Sequence, residues 1–432
     1  MERYRVFLSY VIPSVLAFAL SGIYAIVDGF FVGNSVGDIG LSSINVAYPV
    51  VSLIQSLGTG IGMGGAVLYS IRLAMGEKEN ADAMMQATMQ LLLLAGIFVT
   101  MLVLLFLTPI LQSLGAEGEL LLLGKDYLRI IVIGAVFQIF GTGLLPLIRN
   151  TGGATFAMAT MMCGFVSNIL LDYLFIFPLQ MGIFGAVLAT GLAPGISMLI
   201  LLPHRLKKNN HFYLIKTTPH VKITQTIFSL GFPSLVTEVS SGIVILVFNT
   251  IILKLQGNIG VAAYGVIANL SLVVSAMYTG IAQGIQPLIS RAYGCGDIKN
   301  SKLILRYAMT TMLVLSCAVY LLVFFFANPI TSIFNSEHNL QLQEIAPFGL
   351  KLYFTAVGFV GFNIIISVFF TSSEKPIPAH FISLLRGLLL IIPMAFLLSA
   401  LWGITGVWLA FPVTEFVVAV FGAGMYGAFQ KK

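Results

Sequence analysis

The chain of 432 residues is 58% hydrophobic and 9% charged, with a formal net charge of +6 and a mean hydropathy of +1.00. Soluble domains carry about 25% charged residues, so this composition excludes a soluble globular protein and predicts an all-α polytopic membrane protein. Cys163, Cys295 and Cys317 are far apart and form neither a metal-ligand spacing nor a disulfide framework, and no nucleotide-binding or hydrolytic motif is visible.

A spanning helix needs roughly 20 mostly apolar residues. Twelve such segments follow one another, near 6–33, 43–72, 84–111, 127–149, 154–177, 182–202, 224–254, 258–290, 303–330, 346–371, 379–399 and 403–428. The first begins with Arg3 and Arg5 in the manner of a signal peptide. It is too long, lacks a clear small-residue cleavage site and carries Asp28, so it reads as an uncleaved span.

Twelve spans put both termini on one side of the membrane. With that side cytoplasmic, eighteen of the 22 Lys and Arg residues fall inside, from Arg3 and Arg5 through Arg72, Arg149, Arg291 and Arg386 to Lys432. Only Lys125, Arg129, Lys254 and Lys351 remain outside. This positive-inside bias predicts a multi-pass protein of a prokaryotic plasma membrane with both termini cytoplasmic. It also accounts for the net charge without an anionic partner, so no nucleic acid is expected.

The most basic loop, 204–222, falls halfway along the chain. A shift of 220 residues superposes Pro13-Ser14 on Pro233-Ser234, Ser21-Gly22-Ile23 on Ser241-Gly242-Ile243, Gly60-Ile61 on Gly280-Ile281 and Gly76 on Gly296. About 27 identities fall in about 105 gap-free positions, where composition alone gives about 8. One further residue of shift brings Gly182 and Gly185 onto Gly403 and Gly406. The expected organisation is therefore a six-helix bundle over 1–203, a cytoplasmic linker over 204–223 and a homologous six-helix bundle over 224–432. An even number of spans per copy keeps both copies in one orientation, a parallel repeat. A substrate pathway and alternating access are expected where such repeats meet, which points to a transporter.

Four of the sixteen acids lie deep in spans: Asp28, Asp172, Glu238 and Glu415. Intramembrane acids usually mark ion pathways. Asp28 and Asp172 each stand about five residues from the outer end of an outward-running span, hence at similar depth. Two close carboxylates in low dielectric require a proton on one or a cation between them. Asn168 lies one turn from Asp172, Tyr24 one turn from Asp28, and Thr190 near the same depth. Together these residues can ligate a small hard cation, a Na⁺, or share a proton; the alternative is that they only tie helices together. Pro13, about four turns before Asp28, offers a kink that can move the acid, or else a fixed bend. Glu238 and Glu415, placed by the repeat in the second bundle, are candidates for a substrate contact or a second cation site. Their counterparts are not acids: Glu238 aligns with Phe18, and Asp28 with Phe248. The 33 Phe, 15 Tyr and 17 Met suit lipid contact and packing, with a share available for lipophilic cations.

The first-span pattern Pro13…Tyr24…Asp28, the loop from Ser70 to Lys78, its repeat copy from Gln286 to Asp297, the run Asn168-Ile-Leu-Leu-Asp172 and the run Gly185-Ala-Val-Leu-Ala-Thr190 together resemble the multidrug and toxic compound extrusion (MATE) family, prokaryotic type, over nearly the whole chain. The resemblance implies two six-helix bundles that export amphipathic, often cationic compounds in exchange for Na⁺ or H⁺, without an enzymatic step or a cofactor. It implies that positions matching Asp28, Asn168, Asp172 and Thr190 form the cation site. Pro13 and Tyr24 then belong to a first-helix switch, and the protein acts as a monomer among membrane lipids. The tenth span departs from one subfamily in having no acid. A flippase for a lipid-linked precursor is the competing transport reading, and an intramembrane enzyme the competing one from another class. The concentration of Lys and Arg in loops disfavours the first. The shallow placement of His204, His211, His220, His338 and His380 disfavours the second.

Overall fold

The computed structural model describes the backbone of residues 2–205, 221–335 and 339–430, and within them the side chains other than those of 28–42, 45, 183, 198 and 200–205. Most of the basic linker, 206–220, lies outside the described residues. Inside a bilayer no water satisfies backbone N–H and C=O groups, so apolar segments of this kind close their hydrogen bonds within helices. Among the described residues every regular element is helical.

The helices are α1 (Glu2–Ala74), α2 (Lys78–Leu105), α3 (Leu107–Ser113), α4 (Gly118–Asn150), α5 (Ala154–Ile176), α6 (Gly182–Arg205), α7 (Val221–Gly294), α8 (Ile298–Phe334), α9 (Leu340–Tyr353), α10 (Val357–Ser372), α11 (Pro376–Leu384) and α12 (Ile391–Gln430). A 3₁₀ turn, Phe354–Ala356, joins α9 to α10, and a π-helical segment, Leu385–Leu389, joins α11 to α12. At 1.5 Å per residue the 73 residues of α1 extend about 110 Å, well beyond a hydrocarbon core of about 30 Å. It therefore holds two spans, Glu2–Val27 and Val46–Ala74. The 74 residues of α7 likewise divide at Gly257, whose φ of 62° leaves the helical region. α12 breaks at Trp402 and Gly403. With α9 and α10 counted as one crossing, the helices supply the twelve spans read from the sequence.

The repeat is visible in backbone geometry. Gly76 and Gly296, the pair matched by the 220-residue shift, have φ of 84° and 71°, and Gly182 and Gly403 have 55° and 57°. These left-handed conformations favour glycine, and they recur where equivalent helices end or begin.

The chain forms two compact units. One comprises Met1–Gly22, Ser240–Ile289 and Ile298–Lys432; the other comprises Ile23–Val239 and Ser290–Asp297. Each recruits the early turns of a helix from the other sequence half, and glycine seams explain how. In the first unit, a Cβ added at Gly280 would stand 2.6 Å from Val15 Cα, and one at Gly284 2.8 Å from Val11 Cα. In the second, a Cβ at Gly64 would overlap the Ile227 carbonyl, and one at Gly231 the Gly60 carbonyl. Gly60 and Gly64 align with Gly280 and Gly284, so the same small-xxx-small seam is used once in each unit to let backbones approach closely. Tyr4 and Phe7 add edge-on contacts to Tyr307 of α8, at ring-centroid distances of 5.2 and 5.7 Å.

Candidate functional site

α5 carries the centre of the site. Leu170 is 63% exposed, whereas Asn168 and Asp172, one turn apart, are 2% and 0% exposed. The helix thus turns its apolar face outward and its polar face into the unit that also holds Tyr24 and Thr190. α6 packs closely along α5 and brings Thr190 alongside.

These side chains meet. With the Asn168 amide oriented to satisfy both its ends, Nδ2 donates to Asp172 Oδ2 at 2.7 Å and to the Tyr24 hydroxyl at 2.8 Å. Asn168 Oδ1 accepts from the Thr190 backbone N–H at 3.2 Å. Thr190 therefore reaches the network through its main chain, while its hydroxyl donates to the Ala186 carbonyl at 3.0 Å. The Tyr24 ring stacks on Phe165 at 4.9 Å, which fixes the direction of its hydroxyl. The result is a fully buried carboxylate held by an amide, a phenol next to it and a backbone donor one bond further on. Such a carboxylate reaches its lowest free energy when a proton or a small cation joins it.

The Asp28 side chain lies outside the described residues. Pro13 lies within helical α1, where it withholds an N–H from the Ser9 carbonyl, in the compact unit that contains Met1–Gly22. Glu238 is half-buried, and its carbonyl accepts from Ser52 Oγ at 3.4 Å. The sequence placed it with the second bundle, but the glycine seam draws the start of α7 into the unit of Asp172, and Glu238 goes with it.

Glu415 is 1% exposed and fully engaged. Arg386 Nε donates to Oε1 at 3.0 Å, and an Arg386 terminal nitrogen stands 2.9 Å from the same oxygen. Asn363 Nδ2 donates to Oε2 at 2.7 Å and to the Glu415 carbonyl at 2.9 Å. Arg386 was counted from the sequence among cytoplasmic basic residues. The structure corrects this: it sits ten residues inside the crossing that begins at Pro376, on the π-helical segment. Pro393 explains the wide turn, since it has no N–H for the Leu389 carbonyl, while Leu390 N–H donates back five residues to Leu385 at 3.0 Å. Arg386 and Asn363 are the residues that sequence reasoning missed. The available signal was an arginine within the span 379–399, which in a bilayer demands a partner acid.

Among the described residues no group of three or more His, Cys, Asp or Glu is placed to hold a metal ion. The Asn168 amide and the Tyr24 phenol stand beside the Asp172 carboxylate, whereas the Thr190 hydroxyl is engaged with the Ala186 carbonyl.

A family model described as MatE matches this chain at residues 13–174 and 233–397. The multidrug export protein MepA of Staphylococcus saprophyticus is 26% identical over 413 residues, covering 95% of this chain and 90% of the relative. MepA of Staphylococcus aureus is 25% identical over 423 residues, covering 96% and 92%. Among solved structures, the outward-facing conformation of a multidrug resistance MATE family transporter of the MOP superfamily superposes with a TM-score of 0.92 at 23% identity, covering 100% of this chain and 97% of that one. A MATE structure in the bent conformation gives 0.88 with the same identity and coverage. At that identity the superpositions establish the fold.

Proposed function

The chain belongs to the MatE family, and from that premise we propose that it is a secondary multidrug exporter of a prokaryotic plasma membrane. It expels amphipathic or cationic compounds in exchange for Na⁺ or H⁺ by alternating access, as a monomer in lipid with both termini in the cytoplasm. The observation that carries the coupling is the buried Tyr24–Asn168–Asp172–Thr190 network. Similarity to named exporters over 95% of the chain supports the drug substrate and gives the flippase alternative no support. The two family matches begin 220 residues apart, at 13 and 233, which supports a two-bundle organisation over 1–203 and 224–432 around the linker 204–223.

The coupling ion binds at Asp172 together with Asp28. In the arrangement seen, the Asn168 nitrogen faces Asp172 Oδ2 and its oxygen faces the Thr190 N–H, so the amide oxygen is turned away from the carboxylate. For Na⁺ to use Asn168 Oδ1, the amide turns over: Oδ1 then accepts from the Tyr24 hydroxyl at 2.8 Å, the direction of that bond is reversed, and the Thr190 N–H is released. A proton instead converts Asp172 to a donor and also changes the Asn168 bond. Either event alters the contact between Tyr24 on α1 and α5, and Pro13 weakens the ladder of the same helix. The ion shifts the conformational equilibrium by binding one state more tightly than the other. Glu238, in the same unit, is the candidate for contact with a cationic substrate.

Reconstitution of the purified protein into liposomes, with sodium and pH gradients imposed separately, tests the reading. One gradient should drive substrate exchange, and Asp28→Asn and Asp172→Asn should each abolish it in folded protein. Near-normal gradient-driven exchange in both variants refutes the assignment.

A further inference from the structure

We propose that Arg386 is a built-in cation: its guanidinium permanently fills, at Glu415, the role that an exchangeable Na⁺ or H⁺ takes at Asp172, so that the second buried acid is closed to coupling ions. The inference rests on the coupling reading for what the Asp172 site does, and on the geometry of one compact unit for the rest.

The two carboxylates are held alike. In each case an asparagine amide donates at 2.7 Å to one carboxylate oxygen, from Asn168 to Asp172 and from Asn363 to Glu415. The other Glu415 oxygen is taken by two guanidinium nitrogens at 3.0 and 2.9 Å. A guanidinium does not deprotonate in a protein, so this positive charge cannot be surrendered as H⁺. Nor can it diffuse away: Arg386 is anchored on the π-helical segment, with its side chain 12% exposed. The two units also differ at repeat-equivalent positions. The starts of α5 and α11, at 154 and 376, lie 222 residues apart, which puts Gly164 opposite Arg386 and Met394 opposite Asp172. In this register the position of Arg386 is a glycine in the first half, and the position of Asp172 is a methionine in the second.

The cluster retains the oxygen chemistry of a cation site once the guanidinium is withdrawn. Glu415 Oε1 is then vacated, and Asn363 Oδ1 is a fully buried acceptor with no hydrogen-bond partner among the described residues. The other titratable groups near Glu415 are the phenols of Tyr353 on α9 and Tyr264 on α7, bonded to one another. Arg386 is thus a positioning residue that sets how many ions the transporter uses.

The experiment removes the charge and reads ion binding directly. Of the two tryptophans, Trp408 lies seven residues, two turns, before Glu415 on the same face, so Trp402→Phe leaves Trp408 as sole reporter. In a Trp402→Phe/Asp172→Asn background, which silences the other site, Arg386→Met should acquire a saturable change in Trp408 emission with Na⁺ or with pH. The parent should show none, and Arg386→Lys and Arg386→Met/Glu415→Gln should also show none. In liposomes carrying Asp172, Arg386→Met should exchange one more ion per substrate than wild type, and Arg386→Met/Glu415→Gln the wild-type number. No new transition in Arg386→Met, or one that survives Glu415→Gln, overturns the proposal. Should Arg386→Met fail to fold, the double variant decides, because loss of one coupling ion there means Glu415 carries an ion in the native protein. A wild-type protein indifferent to both gradients would defeat the coupling reading, and the Trp408 titration would still judge Arg386.

Discussion

Asp172 and Glu415 are both buried carboxylates in apolar helices, and each accepts a 2.7 Å hydrogen bond from an asparagine. Around Asp172 the further groups are a phenol and a backbone N–H, whereas around Glu415 the further group is a guanidinium. An identical first contact therefore supports opposite behaviour. On the proposed reading the Asp172 charge is answered by an ion that arrives and departs, while the tethered guanidinium beside Glu415 answers that charge for good. Burial alone does not mark an acid as a coupling site. The identity of its second partner does.

The comparison breaks most visibly in transport. Asp172→Asn should reduce gradient-driven export to the level of protein-free liposomes, and Arg386→Met/Glu415→Gln should leave it coupled; equal losses in both would erase the distinction. The next effect is on stability. Removing one member of a buried ion pair costs about 3–5 kcal/mol, whereas replacing both with neutral groups of similar size is often neutral. Arg386→Met should thus melt well below wild type in detergent by size-exclusion thermostability, and the double variant near it. Destabilisation that simply adds across the two substitutions would show that the pair acts independently.

Smaller effects separate the glycine seams of the two units. Gly64→Ala drives a methyl into the Ile227 carbonyl, and Gly284→Ala brings one to 2.8 Å from Val11 Cα. Overpacking of this kind costs about 1–3 kcal/mol, with the larger loss of melting temperature expected for Gly64→Ala. The smallest effect concerns Tyr24→Phe, which removes one neutral hydrogen bond to Asn168. About 1 kcal/mol, roughly fivefold in apparent ion affinity, should be lost in a titration of exchange rate against ion concentration, with the maximal rate retained.

Much of this was legible in the chain because membrane helices announce themselves by length and polarity. The twelve spans, the repeat with its matched glycines at 76 and 296, and the Asn168–Asp172 turn all follow from local spacing. What escaped depends on contacts between distant segments. Arg386 and Glu415 are 29 residues apart on different crossings, and no periodicity couples them. A topology rule that counts Lys and Arg by loop also pulled Arg386 into the cytoplasm. Glu238, which belongs to the second half of the sequence, stands in the compact unit of Asp172. Sequence halves are contiguous, but compact units need not be, and a seam of glycines outweighs chain order.

That seam has a consequence for biosynthesis. Val11 packs on Gly284, 273 residues later, so at ~5–20 residues per second the first helix waits roughly 14–55 seconds for its partner to be made. It can wait, since a helix in lipid satisfies its own backbone. The start of α7 meets the opposite circumstance, because Gly60 and Gly64 are already in place when Ile227 and Gly231 emerge. The unit holding Asp172 is complete in sequence at Asp297, and the unit holding Glu415 only at the end of the chain. The ribosome thus finishes the unit of Asp172 first and that of Glu415 last, with the guanidinium of Arg386 made before the carboxylate it will hold.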